Sequence, residues 1–201
     1  MQLDSKERGF SFMKEGVLDM RMDLSSDLTA KEIVNTWSEV DLGELFRTQG
    51  EERRWRQAAK AIIHARRKKP IETTTELAEI LSKAIKRSRR KLHPATLVFQ
   101  ALRITVNREL SSLESVMKDA VYLLASKGRM GVLSFHRLED RIVKNLLRNF
   151  SKPIEKIAEM RGGQFFPMLR IINKKPLVPS LHERQKNRRS RSAKLRIAER
   201  I

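Results

Sequence analysis

The run MGVLSF at residues 130–135 is the short apolar stretch that decides the fold class. Gly128 precedes it, and a helical pattern of apolar residues follows it over 137–150. Its length and flanks predict a buried strand, and the order helix, glycine, strand, helix is one α/β crossover unit. One such unit cannot close a core, so we expect further strands at 165–172 and 194–198.

Upstream of this unit, apolar residues recur every three or four positions from Val98 to Leu124. This spacing predicts one helix of about 25 residues with a single buried stripe. Residues 27–91 also have helical patterns, and two Thr-x-x-Glu capping boxes predict helix starts at Thr29 and Thr73. Residues 1–26 are predicted to be an ordered loop with short turns, and residues 176–191 a surface loop.

The strong positive charge favours a polyanionic partner. The chain has 201 residues, with 43 Lys and Arg against 24 Asp and Glu, for a net charge of +19. Residues 1–50 are mildly acidic, with 10 acids and 6 bases. Nucleic acid is the first candidate and an anionic membrane surface the second, weaker because the basic segments lack a broad aromatic-apolar face.

The rest of the composition excludes several classes of site. The chain has no cysteine, which excludes disulfides and thiolate metal sites and permits the reducing cytoplasm that we expect as its location. No apolar stretch is long enough for a membrane span. The four histidines are too dispersed to predict a metal site, and no glycine-rich phosphate or dinucleotide loop is present.

Basic runs at 53–69, 83–91 and 184–200 are the candidate contacts to RNA or DNA. The first two runs contain no acid, whereas ordinary surface helices mix both signs. We therefore favour phosphate contact over a merely solvated face. The candidates for nucleic-acid binding are Arg21, Arg53, Arg54, Lys60, Arg66, Arg67, Arg188 and Arg191.

Two segments could carry chemistry. The segment 134–141 lies at a strand-to-helix junction, where α/β proteins bind ligands, so His136 could face a substrate. The alternative is that Glu139 and Asp140 only complement the helix N-terminus, which we favour for these carboxylates. The segment 16–23 alternates charge with methionine: it is either a loop held by salt bridges or an active-site loop in which Asp19 or Asp23 accepts a hydrogen bond from an amine.

A set of short segments is spread in order along nearly the whole chain. The set includes LD (3–4), ERGFSFM (7–13), LDMRMD (18–23), GEER (50–53), HPAT (93–96), FQALRI (99–104), SFH (134–136), LEDRIVK (138–144) and RSAKLR (191–196). Together these segments are highly specific, and they resemble the MraW/RsmH methyltransferase family.

The resemblance implies a fold, a cofactor and a substrate. The fold would be α/β: a partial class I, Rossmann-like methyltransferase core formed by 1–26 and 93–201, with an all-helical substrate-recognition domain inserted at 27–92. The cofactor would be S-adenosylmethionine, and Gln2 is the residue here that matches a cofactor contact of the family. The family's first strands and glycine-rich cofactor loop are expected to have no counterpart, so the chain resembles an N-terminally truncated member.

The implied reaction is N4-methylation of cytidine 1402 in 16S rRNA of the small ribosomal subunit. A cytosine amine is a weak nucleophile, so it must be held in line and must donate a hydrogen bond to the enzyme. The target base must also leave its stack. We expect Asp19, Asp23 and His136 to be the catalytic candidates in one cleft, with no metal required. The alternative is a non-catalytic rRNA-binding remnant, and a homodimer stays an open option.

Overall fold

The computed structural model describes residues 8–85, 92–152 and 167–201. Its backbone divides into two compact units, Met1–Glu109 and Leu110–Ile201. Helices dominate the first unit, and a three-stranded sheet with helices forms the second. The predicted mixture of helices and strands is therefore confirmed.

The first unit contains five helices among its described residues, in the regions where helical spacing predicted them. Thr29 and Thr73 cap the first and the fourth helix, because their hydroxyls accept hydrogen bonds from the N–H groups of Glu32 and Glu76 at 3.1 and 3.2 Å. The helices are α1 (Ala30–Thr36), α2 (Glu39–Thr48), α3 (Trp55–Arg66), α4 (Thr74–Ala84) and α5 (Thr96–Val106).

The apolar faces of these helices share one core. Phe46 on α2, Ile62 on α3 and Leu102 on α5 are all fully buried, and burying a side chain of this size contributes about 1.5–3 kcal/mol. The preceding loop joins the same core through Leu18 and Met20, which are 0% and 1% exposed. Residues 8–26 thus form an ordered loop, as the sequence predicts.

The predicted single helix over 98–124 is wrong. α5 ends at Val106, and α6 (Glu109–Leu123) begins after a two-residue break. Arg108 in that break has φ of 49°, a left-handed conformation that no α-helix accommodates. The spacing of apolar residues does not show the break, because Val106 and Leu110 keep the four-residue interval across it.

The second unit contains a three-stranded antiparallel sheet in which the last strand of the chain lies between the other two. The strands predicted near 130 and 194 are confirmed, but the first is not buried as predicted, since its residues alternate between exposed and half-buried before the buried Ser134. The third strand is shorter than predicted, and residues 165–166 of that prediction lie outside the described residues. The segment 176–191 is not a plain loop, since it contains two short helices. The elements are β1 (Arg129–Ser134), α7 (Arg137–Phe150), β2 (Leu169–Ile171), α8 (Leu181–Lys186), a 3₁₀ helix (Arg188–Ser192) and β3 (Lys194–Arg200).

One face of this sheet packs against helices. Met117 and Val121 of α6, Val143 and Leu147 of α7, and Ala198 of β3 are buried in one cluster. In the described part of the chain, no helix is long and apolar enough to cross a membrane. The assignment of 27–92 as an inserted domain stays a prediction. Along the sequence, the boundary between the two compact units follows Glu109.

Gly9→Ala should destabilise the first unit. Gly9 has φ of 70°, and a Cβ there would lie 2.0 Å from the carbonyl oxygen of Val17. We expect the free energy of unfolding to fall by about 2–4 kcal/mol from strain and overpacking together. Gly131→Ala is the matched control, because its Cβ would meet only Leu195 at 3.6 Å. It should change stability by less than about 0.5 kcal/mol in urea unfolding; equal effects of the two substitutions would contradict this account.

Candidate functional site

The loop 16–26, which carries three of the candidate residues, is fixed to the helices of the first unit. The N–H of Gly16 donates to the hydroxyl of Thr74 at 3.1 Å, and the N–H of Thr74 donates back to the carbonyl of Gly16 at 3.0 Å. Further along, the N–H of Leu18 donates to the carbonyl of Glu72 at 3.2 Å. The start of the loop therefore follows the segment that begins α4.

Asp19 and Arg21 form a bidentate ion pair inside this loop. The guanidinium Nε and Nη2 donate to Oδ1 and Oδ2 of Asp19 at 2.8 and 2.9 Å. Nη1 of Arg21 donates to the carbonyls of Leu24 and Ser26 at 3.1 and 2.7 Å. Arg21 thus binds three other residues of its own loop and holds the loop in a closed turn.

This pairing limits what Asp19 can do chemically. The side-chain hydrogen bonds from Arg21 hold the pKa of Asp19 below its usual value, although partial burial opposes them. Both carboxylate oxygens already accept from Arg21. Asp19 is therefore an ionised structural partner at neutral pH and a poor proton acceptor.

Asp23 lies in the same loop but in a different environment. Its Oδ1 accepts hydrogen bonds from the backbone N–H and the hydroxyl of Ser25 at 2.9 and 2.8 Å, and these bonds lower its pKa. The side chain is exposed, and its Oδ2 has no partner among the described residues. Asp23 is thus an ionised carboxylate with one oxygen free to accept a hydrogen bond.

Asn107, which the sequence did not single out, holds the loop in place. Its Nδ2 donates to the carbonyls of Met20 and Arg103 at 2.8 Å each, and its Oδ1 accepts from the N–H of Met22 at 2.6 Å. The residue follows the last turn of α5. Its only sequence signal is that asparagine is a common helix terminator.

His136 lies in the second unit, as the N-cap of α7. Its Nδ1 accepts the N–H of Glu139 at 3.4 Å, and Nε2 lies 3.2 Å from Oε1 of the same residue. Oε2 of Glu139 in turn accepts the N–H groups of Phe135 and His136 at 2.7 and 3.2 Å. The pair is a capping box with histidine in the place usually taken by serine or threonine.

Glu139 is held ionised by this arrangement. Burial by itself would raise the pKa of Glu139, but the hydrogen bonds from His136 and from the N–H of Phe135 outweigh it, so the pKa lies below its usual value. The interpretation that this carboxylate complements the helix N-terminus is supported by these contacts.

Asp140 makes a buried ion triad between α7 and β3. Its Oδ1 accepts from Nε of Arg196 at 2.7 Å and its Oδ2 from Nζ of Lys194 at 3.0 Å. Burial alone would raise the pKa of Asp140. The hydrogen bonds from Arg196 and Lys194 outweigh this effect, so the pKa lies below its usual value. Asp140 and Arg196 are only 9% and 8% exposed, so the triad ties the helix to the sheet.

The basic candidates divide into exposed and engaged side chains. Arg66 is engaged, because its Nη1 donates to the carbonyl of Val34 at 2.8 Å. Gln2 and residues 86–91 of the second basic run lie outside the described residues. The exposed candidates are Arg53, Arg54, Lys60, Arg67, Arg188 and Arg191.

The structure brings together only some of the candidates. Asp19, Arg21 and Asp23 share the loop 16–26 of the first unit, and the exposed bases at 53, 54, 60 and 67 lie on or beside α3 of that unit. His136, Arg188 and Arg191 belong to the second unit. A shared cleft for His136 and the two aspartates stays a prediction.

Comparison with known proteins gives a consistent family. A sequence model of the MraW methylase family matches residues 1–201. The chain is 51% identical to the ribosomal RNA small subunit methyltransferase H of Protochlamydia amoebophila, over 100% of the chain and 65% of that protein. It is 48% identical to the protein of the same name from Trichodesmium erythraeum, again over 100% and 65%, and 50% identical to that of Rippkaea orientalis, over 99% and 60%.

The chain therefore spans between 60% and 65% of the length of these three relatives. Residues that carry activity in the relatives can lie in the part that this chain does not match.

Asp140→Asn should destabilise the second unit in a pH-dependent way. The lowered pKa means that the triad stabilises the fold above the ordinary aspartate range and that this contribution is lost as the pH falls through about 4 and below. At pH 7 we expect a loss of about 2–4 kcal/mol, since Arg196 is left buried without its anion. The measurement is urea unfolding of wild type and variant from pH 7 to pH 3.

The difference between the two proteins should shrink toward low pH. Asp119→Asn, an exposed aspartate on α6, is the control and should leave stability nearly unchanged at every pH. A constant difference across the pH range would contradict the assignment of the triad.

Proposed function

Because the chain belongs to the MraW methylase family, we propose that it methylates N4 of cytidine 1402 in 16S rRNA of the small ribosomal subunit. The family match over residues 1–201 carries this proposal, supported by relatives whose name is ribosomal RNA small subunit methyltransferase H. We further propose a class I, Rossmann-like core, an inserted helical domain at 27–92, and a cytoplasmic location. The net charge of +19 is consistent with an RNA substrate.

S-adenosylmethionine would supply the methyl group. Two of the described carboxylates that could hold its ribose hydroxyls or ammonium group, Asp19 and Asp140, are already paired, so neither fits that role. Asp19 binds Arg21, and Asp140 binds Lys194 and Arg196. Gln2, the proposed cofactor contact, lies outside the described residues.

Asp23 is the residue that we propose accepts a hydrogen bond from the cytosine amine. The amine lone pair is delocalised into the ring, and a hydrogen bond from its N–H to a carboxylate increases its electron density and fixes its orientation. Asp23 fits this role because it is exposed, ionised and has Oδ2 free among the described residues. Asp19 and Arg21 then act as positioning residues, since they close the loop that carries Asp23.

His136 has a positioning role in this proposal. Its Nδ1 accepts the N–H of Glu139, and its Nε2 is buried 3.2 Å from Oε1 of the same residue without a hydrogen-bond partner among the described residues, so we assign the ring to the capping box and not to proton exchange. The His136 side chain fixes the first turn of α7 and thereby the junction that follows β1.

A second candidate function is non-catalytic binding of rRNA. It is favoured by one observation, that the described residues offer exposed basic side chains for phosphates while Asp19 and Asp140 are paired within the fold. Methyl transfer and binding are separable, so one assay distinguishes the two functions.

Asp23→Ala should abolish most of the methyl transfer. The assay follows labelled methyl groups from S-adenosylmethionine into small ribosomal subunits, with nuclease digestion to identify N4-methylcytidine. It is run with this chain alone and with the unmatched part of the Protochlamydia amoebophila relative joined to it. Removing the acceptor should lower the rate about 100-fold in the active protein.

Asp27→Ala, which removes another exposed aspartate near the same loop, is the matched control and should keep the wild-type rate. Asp23→Ala at the wild-type rate would eliminate the assigned role. Binding of subunits without any transfer by either protein would favour the non-catalytic function.

Exposed bases on and beside α3 should contribute to the salt dependence of RNA binding. For Lys60→Gln and Arg67→Gln, the slope of log K against log salt should fall by about one for each phosphate that the variant no longer binds. Binding to a 16S rRNA fragment is measured by filter retention between 50 and 200 mM salt, roughly the range in which this term dominates. Lys118→Gln, whose wild-type ammonium pairs with Glu114 at 2.8 Å, is the control and should leave the slope unchanged. An unchanged slope in the α3 variants would refute this interface.

A further inference from the structure

Trp55 and Arg56 form a cation–π pair at the start of α3. The Trp55 ring lies against Gly43 of α2, where a Cβ would come within 2.8 Å of Cε3 and Cζ3. Only glycine at position 43 permits this approach. The guanidinium carbon of Arg56 lies over the ring, 4.1 Å from its centroid, in the geometry of a cation–π contact. The exposed Arg56 guanidinium is thus placed over an indole ring that packs on a neighbouring helix.

A groove between α2 and α3 adjoins this pair. Its lining includes Glu39, Val40, Gln57 and Lys60, together with Trp55 and Arg56. Val40 is 78% exposed, an unusual position for a branched apolar side chain on a helix surface. The groove therefore combines an apolar wall, a planar cationic wall and polar groups of both signs.

The polar groups of this groove are free to bind a ligand. The side chains of Glu39, Gln57 and Lys60 are exposed and make no hydrogen bond or ion pair within the described ranges. Glu44, also at the groove, differs because Arg47 donates to its two carboxylate oxygens at 2.7 and 3.0 Å. Glu39 is thus the uncommitted acceptor of the site, and Lys60 its uncommitted cation.

We propose that this groove binds one unstacked nucleobase with an exocyclic amino group, from single-stranded RNA that accompanies the target. The proposal rests on the proposed function. The base stacks on the guanidinium of Arg56, which lies over the Trp55 ring, and the adjoining phosphate binds Lys60. Glu39 accepts hydrogen bonds from the amino group.

The carboxylate sets the preference among bases. A carboxylate only accepts hydrogen bonds, so it pairs with the N4 amino group of cytosine and repels the O4 carbonyl that uracil presents at the same place. Cytosine and uracil have the same size and shape. A difference in their affinity therefore reports the polar recognition and not the stacking.

The test uses the full chain with Trp37→Phe, which leaves Trp55 as the sole tryptophan. Pentacytidylate and pentauridylate are titrated, and quenching of Trp55 fluorescence is followed. We expect quenching by both and about tenfold tighter binding of pentacytidylate. Glu39→Gln should reduce this ratio to about one, because a glutamine amide can both donate and accept. Arg56→Gln should weaken the binding of both oligonucleotides by about tenfold or more, because the planar stacking surface is removed.

Glu79→Gln, an exposed acid on α4, is the charge-matched control and should keep the preference. Anisotropy of end-labelled oligonucleotides with the unmodified chain gives the same ratio without any tryptophan substitution, should Trp37→Phe not fold. Equal binding of the two oligonucleotides by the unmodified chain, or a preference that survives Glu39→Gln, overturns the proposal.

The outcomes separate this proposal from the proposed function. If the protein transfers methyl groups to small subunits but shows no base preference at this groove, the groove proposal is overturned and the proposed function stands. The protein could instead prefer cytosine in a way that depends on Glu39 and yet transfer no methyl group. That outcome supports the groove proposal and favours the non-catalytic rRNA-binding function.

Discussion

The side-chain amide of Asn107 fixes two parts of the first unit at once. Its three hydrogen bonds, to the carbonyls of Met20 and Arg103 and from the N–H of Met22, measure 2.6–2.8 Å. Met20 has φ of 65°, a conformation that costs about 1–2 kcal/mol for a residue with a side chain. Each hydrogen bond contributes about 1 kcal/mol net, so the amide offsets the strain. The same bonds end α5 and set the turn in which Arg21 reaches back to Asp19.

The break between α5 and α6 shows where sequence patterns stop being informative. Local signals sufficed for the caps at Thr29 and Thr73 and for the strand after Gly128, because each depends on neighbours within a few residues. The break depends on a contact between residues 87 positions apart in the chain. The apolar spacing continues through it, so a periodicity argument alone favours one long helix.

The candidate site was predictable in its residues more than in their roles. Sequence placed charges in the loop 16–26 and on α3, but it could not show which charges pair. Arg66 and Lys60 belong to the same basic run, yet only Arg66 donates to a backbone carbonyl of another helix. Asp19 and Arg21 are two residues apart, a spacing that puts side chains on one face of an extended strand. Here Met20 turns the chain, and the Nε–Nη2 edge of the guanidinium pairs with both carboxylate oxygens of Asp19. For His136, the three-residue spacing to Glu139 was visible, but histidine is an uncommon capping residue.

The division between paired and unpaired charges bears directly on function. Several acids are committed to the fold: Asp19 to Arg21, Asp140 to two bases, and Glu199 to Arg129 and Arg170. The segment 53–69 contains eight bases and no acid. Like charges one helical turn apart, such as Arg56 and Lys60, destabilise a helix by about 0.2–0.5 kcal/mol for each pair.

A helix whose exposed face carries charges of one sign is less stable than a helix with mixed signs. The packing of α3 does not require these charges, since its buried face is formed by Ala58, Ala59 and Ile62. A polyanion bound along the exposed face removes the repulsion, so the free energy that the isolated helix loses is recovered on binding. The charge pattern on α3 therefore supports the proposed RNA interface more directly than the net charge of the chain does.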